Sequence, residues 1–109
     1  MKEQILIFGL GHIGGSIAKS LCKQGIRVYA EDSCKKTITH AIKNKIIKGK
    51  FSDLDLSKPY SVIFSTPPIV TDKLVNENKD LIKNAVLFTE TSSSKNKIKK
   101  NAFINKIEN

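Results

Sequence analysis

The chain has 109 residues, 39% of them hydrophobic and 27% charged, which is one domain's length at an ordinary globular composition and excludes a multidomain or wholly disordered chain. Nineteen basic against ten acidic side chains give a net charge of +9. Arg27 is the only arginine and the lysines are scattered along the sequence, so bidentate readout of bases is not provided for and nucleic acid is not the expected partner.

Gln4 to Phe8 is an apolar run ended by Gly9, of the kind buried on both faces of a parallel sheet. From Ile13 the period changes. Ile13, Ile17 and Leu21 recur every fourth residue with Ala18 beside them, the stripe of a helix that Gly25 ends. Ile26 to Ala30 is a second strand. Asp32 or Ser33 caps a second helix whose stripe is Ile38, Ala41 and Ile42. A third strand is expected around Ile46, Ile47 and Phe51, and a fourth over Tyr60 to Ser65, broken by Pro67-Pro68. A helix carried by Val70, Leu74 and Leu81 runs to about Lys83, and Ala85 to Thr89 is a fifth strand. Ser92-Ser93-Ser94 forms a polar turn, and the tail from Lys95 reads as a helix. Strand–helix alternation of this kind predicts an α/β fold, a doubly wound parallel sheet with helices on both faces, as a single domain over 1–109.

Cys22 and Cys34 lack C-x-x-C spacing, which argues against a disulfide scaffold and against a metal site. Reduced thiols, no secretory leader pattern and no apolar run near the ~20 residues of a membrane span point to a cytoplasmic protein away from membranes.

The strongest chemical signal is Gly9-Leu10-Gly11-His12-Ile13-Gly14. A G-x-G-x-x-G run carries weight only between a buried strand and an amphipathic helix, and it stands there. Gly9 then allows the tight turn, Gly11 lets a pyrophosphate approach the backbone, and Gly14 lets helix and strand pack closely. The phosphates lie on free N–H groups at the positive end of the helix, with Leu10, His12 and Ile13 completing the loop. This is the dinucleotide-binding (Rossmann) pattern. Asp32, about twenty residues on, is placed to take the adenosine ribose hydroxyls; Glu31 beside it is the alternative. A carboxylate there favours NAD over NADP, while Lys35 and Lys36 nearby leave NADP open. Ser65, Thr66 and Pro67 close the fourth strand at the edge where open α/β sheets bind ligands.

Together these residues resemble the nucleotide-binding half of the prephenate/arogenate dehydrogenase family. The glycine run continues as Gly15-Ser16, as is typical there. Asp32 matches the ribose-binding acid, Ser65-Thr66-Pro67-Pro68 an A-T-P-P strand ending, and Thr89-Glu90-Thr91-Ser92-Ser93-Ser94-Lys95 a T-D-x-G-S-x-K segment. Glu90 replaces the usual aspartate and Ser92 the usual glycine. Lys45 stands where a helix-ending glycine is common, so Asn44 is expected to take the left-handed position. The resemblance implies oxidation of prephenate or arogenate, with hydride transfer to a nicotinamide and loss of carbon dioxide on the route to tyrosine. It assigns Ser93 a place near the family's catalytic histidine. That histidine, and the helical dimerisation domain after it, would follow Asn109; neither His12 nor His40 replaces it by position. The expectation is a cofactor seat that does not turn over alone, partnered by a separate catalytic half or by self-association. The alternative is a stand-alone NAD-binding regulatory module.

Overall fold

Gln4–Phe8 is the centre of the sheet because both its edges are paired. The structure, a computed structural model, describes residues 3–90. In it β1 (Gln4–Phe8) lies parallel to β2 (Arg27–Glu31) on one side and to β4 (Tyr60–Phe64) on the other. The registers run from Gln4 opposite Arg27 and Tyr60 to Phe8 opposite Glu31 and Phe64. The two-residue β3 (Gly49–Lys50) extends the β2 edge and β5 (Phe88–Glu90) the β4 edge, giving the order β3-β2-β1-β4-β5. Chain direction across the sheet therefore reverses between β1 and β4, which creates a crevice at the carboxyl ends of those strands.

Period-2 alternation sends successive side chains to opposite faces. Leu6, Phe8, Tyr29, Val62, Phe64 and Phe88 form one core. It is covered by Leu74 and Val75 of α3 (Pro68–Glu77) and Leu81 and Ile82 of α4 (Lys79–Lys83). Ile7, Val28 and Ala30 form the other core, with Ala18 of α1 (His12–Lys23) and Ile38 and Ala41 of α2 (Lys35–Lys43). The expected doubly wound parallel sheet is what the chain adopts. The Phe64 ring stacks on Phe8 with centroids 4.7 Å apart and meets Phe88 edge-on at 5.5 Å. Buried Gln4 is satisfied by the loop before β4: its amide donates to the Asp55 and Pro59 carbonyls and its carbonyl accepts from the Asp55 N–H.

Several elements differ from the sequence reading. Of the expected α1 stripe, Ala18 is buried and Ile17 and Leu21 pack against the core, but Ile13 is 56% exposed and Gly14 is buried beside Ala18, because small residues let the helix approach the sheet. Ile42 is also exposed. Neither Asp32 nor Ser33 is the N-cap of α2; Cys34 is. The left-handed residue after α2 is Lys45 (φ 58°), not Asn44. Asn44 keeps φ near −92° and donates its side-chain amide to the His40 carbonyl at 2.8 Å. A lysine there costs about 1 kcal/mol of backbone strain. The third strand spans only Gly49–Lys50, with Ile46 and Ile47 in the connection before it and Phe51 in a 3-10 turn, Phe51–Asp53, after it. The expected single helix to Lys83 is broken at Asn78 (φ −124°), whose amide donates to the Leu74 carbonyl. Within α3 Val70 is exposed and Thr71 is buried in its place. The serine turn at 92–94 and the helical tail from Lys95 lie outside the described residues. No helix among the described residues is long and apolar enough to cross a membrane.

Phe64→Ala removes the ring at the centre of the aromatic cluster and is expected to cost about 3–5 kcal/mol in urea-denaturation free energy. Tyr60, buried, donates its hydroxyl to the Leu81 carbonyl at 2.6 Å, and burial raises its phenol above the ordinary value. A group raised in the folded state holds its stability below the unfolded pKa and loses it as pH climbs further. Unfolding free energy is therefore expected to be insensitive to this group up to about pH 10 and to fall above it. Tyr60→Phe should remove that alkaline loss.

Candidate functional site

A cleft of about 550 Å³ opens at the carboxyl ends of β1, β2 and β4 and brings together Gly9, Gly11, Asp32, Ser65, Thr66 and Pro67. Phe8, Val70 and Leu74 supply apolar wall, and Glu31 and Ser33 stand at the β2 side. The other residues of the glycine loop are placed differently. Leu10 is buried in the α1/α2 core, Gly14 is buried beneath the loop, and His12 and Ile13 are exposed on the first turn of α1. None of these four lines the cleft with its side chain; a ligand there meets the loop through its backbone.

The glycines divide the work as physical space dictates. Gly9 has φ +95°, and a Cβ on it would stand 2.6 Å from the Ser65 carbonyl oxygen. A Cβ on Gly14 would overlap the Gly9 carbonyl oxygen. A Cβ on Gly11 would meet nothing within 4 Å. Gly9 and Gly14 are thus needed by the fold, whereas Gly11 leaves space on the cleft side that the fold does not use. Gly11 is the N-cap of α1 and offers no side chain to cap it, and no acidic residue occupies the helix's first turn. The positive end of α1 is left without a protein carboxylate in that turn, the condition under which a helix N-terminus attracts an anion.

Asp32 does more than line the cleft. One carboxylate oxygen accepts the Leu10 N–H at 2.8 Å and the other the Cys34 N–H at 2.9 Å. It ties the glycine loop to the start of α2, a long-range bond that spacing alone does not announce. Each oxygen keeps a second lone-pair direction for a hydroxyl donor. The adjacent Cys34 thiol is exposed and is held below its usual range, chiefly by a hydrogen bond with the Thr37 side chain.

On the opposite wall, Ser65 donates its N–H to the Phe8 carbonyl at 2.7 Å. Pro67 is the N-cap of α3 and Pro68 its first residue, so the proline pair starts a helix as well as ending a strand. Thr71, only 1% exposed, donates its hydroxyl to the Thr66 carbonyl at 3.0 Å and lies 2.7 Å from the Thr66 hydroxyl. This residue was not singled out from the sequence. The only signal was a polar residue inside the Val70–Leu74 segment, five positions after Thr66. Glu90 is buried at the end of β5, in register with Phe64. Ser93 lies outside the described residues. Among the described residues no group of three or more His, Cys, Asp or Glu is arranged to hold a metal ion.

Comparison with family models and with curated proteins finds no match. Among solved structures, a prephenate dehydrogenase from A. aeolicus, in complex with hydroxyphenyl propionate and NAD⁺, superposes with a TM-score of 0.67 at 26% identity. The match covers 83% of this chain and 33% of that one. The arogenate dehydrogenase of Synechocystis superposes with a TM-score of 0.68 at 24% identity, over 91% of this chain and 36% of that one. The fold is similar to that of prephenate and arogenate dehydrogenases. The resemblance read from the sequence motifs thus holds in three dimensions, and the chain spans about a third of the length of each relative.

The unequal space around the glycines separates folding from binding. Gly14→Ala is expected to destabilise the domain by about 1–3 kcal/mol through overpacking. Gly11→Ala should change stability by no more than about 0.5 kcal/mol. Thermal denaturation of the two variants checks the contrast.

Proposed function

We propose that the chain is the NAD-binding domain of a prephenate/arogenate dehydrogenase-like oxidoreductase. The observation that carries this reading is the cleft itself. It joins an uncapped helix N-terminus, a loop with unused space at Gly11, and a carboxylate at the end of β2, in a fold similar to one solved with NAD⁺.

In this reading the pyrophosphate lies over Gly11 and the first turn of α1, where Leu10, His12 and Ile13 contribute backbone and Gly14 keeps the turn close. The adenosine ribose donates its hydroxyls to the free lone pairs of Asp32. The repulsion between that carboxylate and a 2′-phosphate favours NAD, while Lys35 and Lys36 on the first turn of α2 moderate the exclusion of NADP. Ser65, Thr66 and Pro67, held by Thr71, form the wall toward the nicotinamide end. The nicotinamide, when bound, supplies the hydride acceptor; the protein supplies orientation and electrostatics. Ser93 is assigned to the substrate side by resemblance. The histidine that polarises the substrate would come from a separate catalytic half or from a further part of the protein.

Isothermal titration with NAD⁺ and NADP⁺ tests this. Micromolar to low-millimolar binding of NAD⁺ is expected, with NADP⁺ weaker. Asp32→Ala should weaken NAD⁺ about tenfold or more, the equivalent of ~1.4 kcal/mol. Gly11→Ala should weaken it comparably while leaving the melting temperature in place. Absence of binding to either nucleotide overturns the reading.

A further inference from the structure

The lysines scattered along the sequence are gathered in space. From residue 3 to 52, the half that builds β1, α1, β2, α2 and β3, there are nine cations and three carboxylates. From 53 to 90, the half with β4, α3, α4 and β5, there are four cations and six carboxylates. Because α1 and α2 cover one face of the sheet and α3 and α4 the other, this asymmetry in sequence becomes one between layers. Two of these carboxylates, Glu31 and Asp32, stand at the dinucleotide end. The third, Glu3, is exposed just before β1, where its carbonyl accepts the Arg27 N–H; away from the dinucleotide end it is outnumbered by the cations of the α1/α2 layer.

The opposite end of this layer is also concave. A second cleft, of about 400 Å³, lies between the C-terminal ends of α1 and α2 and the start of β2. Arg27, Lys45 and Lys48 line it, against Cys22, Ile42 and Ile47, and no carboxylate does. Lys23 and Lys43, in the last turns of their helices, have a local reason to be basic, since a cation there complements the helix dipole. Arg27, Lys45 and Lys48 belong to no helix. Asp55 lies within electrostatic reach of Arg27. Its carboxylate, however, is engaged by the Ser57 amide and hydroxyl and by Lys58 at 4.0 Å. Like charges around a concavity raise the local potential and draw anions to it.

We propose that the α1/α2 layer binds the phosphate backbone of duplex nucleic acid without sequence preference, with the cleft of Arg27, Lys45 and Lys48 as its centre. Lysine serves phosphate as a point charge, and the near-absence of arginine fits contacts that position without reading bases. A single strand is the poorer fit, because its binders stack bases on aromatic rings, and Phe8 and Tyr29 are buried while Phe51 packs into the opposite core. An acidic protein is also the poorer fit, because interface centres rest on aromatic anchors and are depleted in lysine. The cleft is lined by no aromatic ring; its exposed apolar surface comes from Ile42 and, in part, Ile26.

The test is fluorescence anisotropy of the whole chain with a labelled duplex of about 20 base pairs between roughly 50 and 200 mM salt, where each lost phosphate contact lowers the log–log salt slope by about 0.9. The variant Lys45→Gln with Lys48→Gln is expected to reduce the slope by about 1.8. Lys73→Gln with Lys79→Gln, on the other layer, should leave it unchanged. Circular dichroism checks that both pairs fold. Saturating NAD⁺ should not displace the duplex. Loss of slope in the first pair alone supports the proposal. No binding at the lowest salt, equal losses in both pairs, or tighter binding to phosphatidylserine vesicles, to an acidic peptide or to a single strand overturns it.

Discussion

Gly14 lies so close to Gly9 that no side chain fits between them, and Gly9 in turn presses against the Ser65 carbonyl and the Thr66 side chain. This contact joins the end of β1, the start of α1 and the end of β4. It fixes where the positive end of α1 points, and hence where an anion can be held. Asp32 restrains the same loop from the β2 side through the Leu10 N–H. The glycine loop is therefore fixed before any ligand arrives, a condition that spares the binding step the entropy of ordering it.

The double use of Asp32 also orients what binds. Both its oxygens already accept one N–H each, and a carboxylate has no proton to donate when ionised. A hydroxyl can approach it; a phosphate is repelled. The first turn of α1 has the opposite preference, since it offers N–H groups and carries no acidic side chain. Two ends of one cleft thus favour opposite chemistries, a hydroxyl donor beside β2 and an anion beside β1. That polarity suits the dinucleotide proposed for this cleft.

Most of this was legible in the sequence where the signal was local. The apolar run of β1, the change of period into α1 and the glycine spacing each report on neighbours within a few residues. What was not legible depended on partners far along the chain. Periodicity put Ile13 in the α1 stripe, but the close approach of Gly14 to Gly9 turns the helix so that Gly14 and Ala18 face inward. Asn44 is the better left-handed residue by propensity, yet its amide is used on the His40 carbonyl and Lys45 takes the strained position. Thr71 is a polar residue within an apolar segment, and its value is a pair of contacts with Thr66 that exist only once α3 has folded back on the β4 turn. The bond from Leu10 to Asp32 spans 22 positions, and no rule of spacing predicts it.

The charge distribution follows from the same topology. In a sheet that winds outward from β1 first one way and then the other, the first half of the chain covers one face and the second half the other. A compositional difference between halves is then converted into a difference between surfaces. Within the basic half the charges are further separated along the strand direction. Glu31 and Asp32 lie at the carboxyl end of β2 and Arg27 at its start. The dipoles of α1 and α2 run the opposite way, positive toward the dinucleotide cleft and negative toward the second cleft. Lys23 and Lys43 offset those negative ends. With that offset made, Arg27, Lys45 and Lys48 carry positive charge that the helix dipoles do not balance, at the end of the layer farthest from Asp32. The two clefts thus differ in the origin of their positive potential. At the cleft of Gly11 and Asp32 it comes from backbone N–H groups, short in range and directional. At the second cleft it comes from side-chain charge, longer in range and weakened by salt.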